Sequence, residues 1–385
     1  MIKIAIIGGR VMGMKIAFLA RTAGIHTVLI DKDKLTPASG LCGENYVFDI
    51  KEKDPAMLAI LKNVDIVVPA VNKVDVLNAI EDLCREININ VAFDFSAYAV
   101  TSSKIQSDHL INEESFPHLT YYPDAKPPFI LKPAFGSRRG LIKKVDTQTE
   151  LDFLISRKDN PESWIAQEYI DGPIYTVTVT GSPGNYRYYE PLRVYLSDDF
   201  YSNTVVSPTN LTEKQKGTFG KRAVCLAEKI KLRGVLEVEA VEDGQLKIME
   251  MNAIFPVQGP VTLFYSSGLN ILVDLLKVYA DDKLLKKLSE IINKEYEKLK
   301  YVVYKDFQFL NNTPTFHGEG NLEDAGPLKV MVDFFGSDYA ITDYIDDEHQ
   351  WQAVFINISE NEDDLLKKRI VSRELVLRYC RSRLS

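Results

Sequence analysis

A chain of 385 residues has room for two or three domains, and 45% hydrophobic with 26% charged residues is an ordinary globular composition. The net charge of −8 argues against a nucleic-acid partner while leaving room for a local basic pocket. Four scattered cysteines without a CxxC pair argue against a disulfide scaffold or a zinc ribbon; with no leader peptide and no apolar run of about 18 residues, no membrane association is expected and the expected location is cytoplasmic.

The chain opens with a β-branched run, Lys3 to Ile7, then Gly8-Gly9-Arg10-Val11-Met12-Gly13 and a helical pattern through Ala23. A second strand, Thr27 to Ile30, ends at Asp31, 23 residues after Gly8. This spacing matches a dinucleotide-type βαβ unit, in which phosphate approaches a helix N-terminus and the acid meets a ribose hydroxyl. Arg10 stands where the second glycine belongs, so a nucleotide site and a bare βαβ scaffold are both open readings. Further alternation predicts strands at Asn45–Phe48, Val64–Val68 and Val91–Phe95, with helices at Pro55–Leu61 and Val74–Cys84. Residues 1–97 therefore read as a parallel, Rossmann-like α/β domain. Asp49-Ile50 and Asn72 follow strands, where ligands of such sheets bind.

Thr101-Ser102-Ser103 offers N-cap residues ahead of a helix from Ile105 to Asn112, with Lys104 in its first turn. A cation there opposes the helix dipole unless it serves something anionic; an ordinary surface lysine is the alternative. Lys132 follows in an apolar strand, Phe129–Pro133. The turn Gly136-Ser137-Arg138-Arg139-Gly140 then reads as a phosphate clamp or as a plain basic hairpin. Beyond a helix at Thr149–Ser156, Trp164 to Ile170 forms a strand running into a polar linker at Asp171-Gly172. Tyr175–Thr180 alternates threonine with valine, which predicts a half-exposed antiparallel strand. A helix over Glu213–Ile230 leads to Arg233.

Gly234 to Gly259 reads as a hairpin turning at Glu242-Asp243-Gly244. Residues two apart share a face, so Glu237 and Glu239 line one side of its first strand, and Glu250 and Asn252 one side of its second. Carboxylate and amide oxygens in that array suit Mg²⁺ completed by phosphates, or form a solvated sheet edge. The interspersed Ile248, Met249 and Met251 favour half-buried acids, which need partners.

In order, Lys104, Lys132, the Gly136–Gly140 turn, Gln167–Ile170 and the Glu237/Glu250-x-Asn252 hairpin resemble the ATP-grasp superfamily of carboxylate–amine ligases. That resemblance implies a Rossmann-like pre-ATP-grasp domain (1–97), a two-lobed ATP-grasp domain (98–295) and a small α+β closing domain (296–385). It further implies ATP and Mg²⁺ as cofactors. Lys104 and Lys132 would hold phosphates, with Ser137, Arg138 and Arg139 closing over them. Gln167, Glu168, Tyr169 and Ile170 would border the adenine, and Asp171 would reach the ribose because Ile174 occupies the family's usual acid position. Glu237, Glu250 and Asn252 would bind the metal. Glu250 lies 13 residues after Glu237 and 11 after Glu239, which favours Glu237 and keeps Glu239 in reserve. The arginine usual in the family two residues after the asparagine is Ile254 here, so Arg233 and Arg193 are the candidates to stabilise the charged intermediate.

The stretches GGRVMGMKIA, KPAFGSRRG, QEYIDGPIYTVTV and EMNAIFPVQGPVT resemble ligases of this superfamily that join two amino acids, an ornithine-type acid and L-lysine. Val11, Met12 and Asn72 would then face the lysine, and Gly8, Arg10, Asp31, Asp49 and Ile50 a second nucleotide. Purine-pathway carboxylases and D-alanine ligases would share every ATP residue named. An NAD-dependent dehydrogenase accounts for Gly8–Gly13 and Asp31, yet leaves both lysines and the acidic hairpin without a purpose. In the C-terminal stretch, strands at Lys329–Phe335 and Trp351–Ile358 and a helix over Glu362–Arg383 are expected, with Asp363, Asp364, Lys367, Lys368 and Arg369 on a solvated face.

Overall fold

The computed structural model describes residues 1–135, 141–310, 313–315, 318–346 and 350–382. The opening β-branched runs form a parallel sheet from β1 (Lys3–Ile7), β2 (His26–Asp31), β3 (Glu44–Val47) and β4 (Ile66–Pro69), ordered β3-β2-β1-β4. The expected strand at Val91–Phe95 shrinks to a single bridge from Val91 to Val67. Asp94 ends it by capping the Phe95–Thr101 helix, its carboxylate accepting from the Ala97 amide.

A small antiparallel sheet follows, β5 (Phe129–Pro133), β6 (Lys143–Val145) and β7 (Trp164–Glu168), ordered β6-β5-β7. It has its own core of Phe129, Leu131, Val145, Leu151 and Ala166. Pairing of Ile130 with Gln167 and of Lys132 with Ile165 puts Ile130, Lys132 and Gln167 on the opposite face from that core.

The remaining strands make one eleven-stranded sheet. They are β8 (Ile174–Ser182), β9 (Asn185–Tyr188), β10 (Leu192–Leu196), β11 (Ser202–Ser207), β12 (Gly234–Glu242), β13 (Leu246–Asn252), β14 (Tyr301–Leu310), β15 (Thr313–Thr315), β16 (Lys329–Phe334), β17 (Ser337–Thr342) and β18 (Gln350–Ser359). Their order is β13-β12-β8-β10-β11-β14-β18-β17-β16, with β9 on β8 and β15 on β14. The sheet runs unbroken across residues 295 and 296, because β11 pairs with β14. The threonines of β8 are not half-exposed: Thr176, Thr178 and Thr180 are all buried. The Thr176 hydroxyl donates to Glu237 and the Thr180 hydroxyl pairs with that of Tyr189, so this face lines an interior rather than meeting solvent.

The Val11–Thr22 helix is buried from Val11 through Ala20, Lys15 included. It shares the largest core with β11, β14 and β18 and with the helices Pro260–Ser267 and Ile271–Tyr279. Among the described residues no single helix is long and apolar enough to cross a membrane; those two form an apolar pair bent by 106°. The packing explains the glycines. A Cβ on Gly13 would sit 2.1 Å from the Gly8 carbonyl oxygen, a backbone atom that cannot step aside. Gly13→Ala is expected to destabilise the protein by about 3 kcal/mol, read as a lowered thermal midpoint.

Candidate functional site

A cleft of about 1990 Å³ runs between the small sheet, the acidic end of the large sheet and the strand ends of the parallel sheet. Its acidic floor depends on strand register. Glu239 lies directly across from Glu250, and Glu237 from Asn252, so all four share one face. A bulge makes this possible: Glu239 pairs with Glu250 but Ala240 with Ile248, leaving Met249 as the extra residue. Ile248 can then enter the core at 1% exposure while Glu250 turns into the cleft.

Each acid is held. Thr176 donates to Glu237 at 3.1 Å, Gln258 to Glu239 at 3.3 Å and the Asn252 amide to Glu250 at 2.6 Å. Both lysines converge on the same carboxylate. Lys104 Nζ, from the start of the Lys104–Glu113 helix, is 3.5 Å from Glu250 Oε2, and Lys132 Nζ, from the small sheet, is 3.8 Å from it. Burial of Lys132, with Lys104 nearby, pulls its pKa down to about 8, against the opposing pull of Glu250 and Glu239. A buried lysine at that value is still mostly charged near neutral pH and available to pair with an anion.

The 13-residue spacing favours Glu237, whereas the register, shifted by the bulge at Met249, sets Glu239 directly across from Glu250 and Glu237 across from Asn252. Glu239 is also the second acid whose charge Lys132 feels. Among the described residues no group of three His, Cys, Asp or Glu side chains is placed to hold a metal alone. Two carboxylates and an amide oxygen do fit Mg²⁺, which takes hard oxygen ligands and completes its shell with water and substrate phosphates.

Gln167, Glu168, Tyr169, Ile170 and Asp171 all line the cleft, with Gln167 buried. The Glu168 amide donates to the Thr120 carbonyl at 2.8 Å, so any role in reading a base falls to its carbonyl. Ser137, Arg138 and Arg139 lie outside the described residues.

Neither arginine candidate reaches the acids. The Arg233 guanidinium donates to the Val278 carbonyl at 3.2 Å and lies over the Tyr279 ring, away from the cleft lining. Arg193 touches the cleft, but it pairs with Tyr175, which pairs with Ala240. Its side chain is therefore on the opposite pleat face from Glu237 and Glu239, 4.6 Å over the Tyr195 ring. Two apart along β10, Arg193 and Tyr195 share that face, and the Arg193 Nε is buried with no hydrogen-bond partner among the described residues.

At the parallel-sheet end, Gly8, Arg10, Asp31, Asp49, Ile50, Met12 and Asn72 line the same cleft. Val11 does not, being fully buried in the core. The groups that a second nucleotide would use have protein partners here. Asp31 accepts from the Gly9 amide at 2.6 Å, and a Cβ on Gly9 would strike Thr36. Asp49 caps its own turn by accepting from Lys51. Arg10 bonds the Glu323 carbonyl, Asp324 and Asp33. The Val11 amide, where a phosphate would dock, donates to the Glu323 carboxylate. Sequence reasoning missed Glu323 and its neighbour Glu319 because both arrive from some 300 residues downstream and carry no motif.

This architecture is found in solved structures. The ADP complex of purK, N5-carboxyaminoimidazole ribonucleotide synthetase, superposes with a TM-score of 0.69 at 16% identity, over 96% of each chain. A biotin carboxylase from Campylobacter jejuni gives 0.70 at 16% identity, over 96% of this chain and 90% of that one. The fold is the ATP-grasp fold. Among curated proteins, the chain resembles the 3-methyl-D-ornithine–L-lysine ligase of Methanosarcina mazei, at 27% identity over 277 residues, 72% of this chain and 71% of that one. It also resembles the ligase of the same name from Methanosarcina barkeri, at 26% over 337 residues, 87% of this chain and 85% of that one. No protein-family model matches the chain.

Proposed function

We propose that this protein joins the carboxylate of 3-methyl-D-ornithine to the ε-amine of L-lysine through an acyl phosphate, as a step of pyrrolysine biosynthesis. It is an ATP-dependent carboxylate–amine ligase, with ATP and Mg²⁺ as cofactors. The observation that supports the site is the meeting of Lys104, from the start of a helix, and Lys132, from the small sheet, on Glu250 within 4 Å. Polyphosphate supplies the anion that such a convergence calls for.

In this reading the γ-phosphoryl of ATP passes to a carboxylate oxygen of methylornithine, releasing ADP. Lys104 and Lys132 neutralise the charge that spreads over the transferring group. Mg²⁺, held by Glu239, Glu250 and Asn252 with Glu237 beside them, would neutralise the phosphate oxygens. The deprotonated lysine amine then attacks the acyl carbon, phosphate leaves, and an amide remains. Gln167, the Glu168 carbonyl and the backbone at Ile170 border the adenine, with Asp171 toward the ribose. The lysine lies at the Met12 and Asn72 end.

The test is ADP formation with ATP, Mg²⁺, L-lysine and D-ornithine or its 3-methyl derivative. Turnover is expected to require both amino acids, with amide product detected by mass. Absence of ADP under every amino-acid pair, or turnover with bicarbonate alone, sinks the reading.

A further inference from the structure

We infer that the junction of the Val11–Thr22 helix with the Glu319–Asp324 turn seats an ammonium group of an amino-acid substrate, held by Glu319 and Asp306. The substrate class rests on the ligase reading above; the seat itself rests on how these buried groups are left.

Lys15 is completely buried. It donates to the Tyr304 hydroxyl and, at 2.8 Å, to Glu319 Oε1. Glu319 is 4% exposed and Asp306 3% exposed. Glu319 Oε2 and both oxygens of Asp306 accept no hydrogen bond. Buried carboxylates are almost always satisfied, so three bare acceptors in one cluster require an explanation.

Charge sharpens the point. Lys15 is one cation for two acids, and burial together with Glu319 pushes the Asp306 pKa well up. Without a ligand, burial favours the protonated form of Asp306. A water molecule would bring donors but no charge. An ammonium group brings one positive charge and three N–H donors to three bare oxygens.

Glu319 also lines the cleft, with Gly320 and Glu323, in the same cavity as Lys104 and Lys132. An amine seated there belongs to a molecule whose other end can extend toward the phosphate-binding lysines. Asp306 faces this seat because β14 alternates, placing Tyr304 and Asp306 on the side of the sheet that meets the first helix.

The experiment is calorimetric titration of the protein with L-lysine, D-ornithine, 6-aminohexanoate and L-norleucine. Asp306→Asn and Glu319→Gln are each expected to weaken L-lysine or D-ornithine by tenfold or more. They should also erase the preference for that amino acid over the analogue lacking the seated amine. Asp306→Asn should keep or raise the thermal midpoint, since no donor is lost and the new amide can serve Glu319. The shift of the midpoint by ATP and Mg²⁺ should stay unchanged. Affinities within twofold of wild type in both variants overturn the seat, as does wild-type protein that binds neither amino acid. A lowered midpoint of Asp306→Asn with unaltered affinity assigns the cluster to folding and overturns it too. Wild-type protein that binds lysine but forms no ADP with any amino-acid pair sinks the ligase reading alone.

Discussion

Glu250→Gln is expected to lower kcat by more than about 100-fold while leaving the thermal midpoint close to wild type. The carboxylate stands between the Asn252 amide at 2.6 Å and two lysines at 3.5 and 3.8 Å, so its charge serves both metal and phosphate binding. Glutamine keeps the shape and removes the charge. Because Glu250 holds the Lys132 pKa up, the variant should also move the alkaline limit of ATP binding to lower pH. Glu239→Gln should approach the Glu250 effect and Glu237→Gln should fall short of it, since Glu239 is the cross-strand partner. The check is ADP release at saturating ATP across a Mg²⁺ titration. A Glu250→Gln enzyme within tenfold of wild type at high Mg²⁺ removes the metal assignment.

Lys132→Met is expected to weaken ATP binding by about 30- to 1000-fold, the usual cost of about 2–4 kcal/mol for truncating a buried charge partner. The same change should leave the ligand-free protein as stable or more so, because a buried cation is replaced by an apolar chain of similar length. The sign follows from linkage. Lys132 titrates near 8 in the folded chain against 10.5 for an ordinary lysine, so between those values the unfolded chain binds more protons. Its penalty on stability is complete below pH 8 and relieved as pH rises toward 10.5. ATP affinity should move the other way, falling above pH 8 by up to tenfold per pH unit as the lysine loses its proton. Titrating ATP across that range by fluorescence or calorimetry, with Lys132→Met as the flat reference, checks both halves.

Much of the site could be read before the structure, because strand alternation is a local rule. Glu237, Glu239, Glu250 and Asn252 share a face, as two-residue spacing predicts. Which acid stands across from Glu250 depends on the bulge at Met249, a property of two strands in register and not of either alone. Where Arg193 and Arg233 point was equally illegible: a positive side chain near a motif in sequence says nothing about the pleat face or helix end it occupies. The Tyr301–Leu310 strand, which joins the two halves of the large sheet, went unrecognised as a strand. Lys15 was invisible as a buried group, since a lysine in a helix ordinarily points outward and only the downstream Glu319 explains it. The glycine run was legible as a βαβ unit. That Thr36, Asp31 and Glu323 would fill it depended on contacts from distant segments.

The small sheet has a core of its own, and its Lys132 meets Glu250 across the cleft from the large sheet. That contact is a clasp between two bodies. Drawing the small sheet outward would stretch this attraction of opposite charges, so the contact favours a closed cleft. Phosphate groups placed between Lys132 and Glu250, with magnesium, would exchange one bridging charge pattern for another of the same sense.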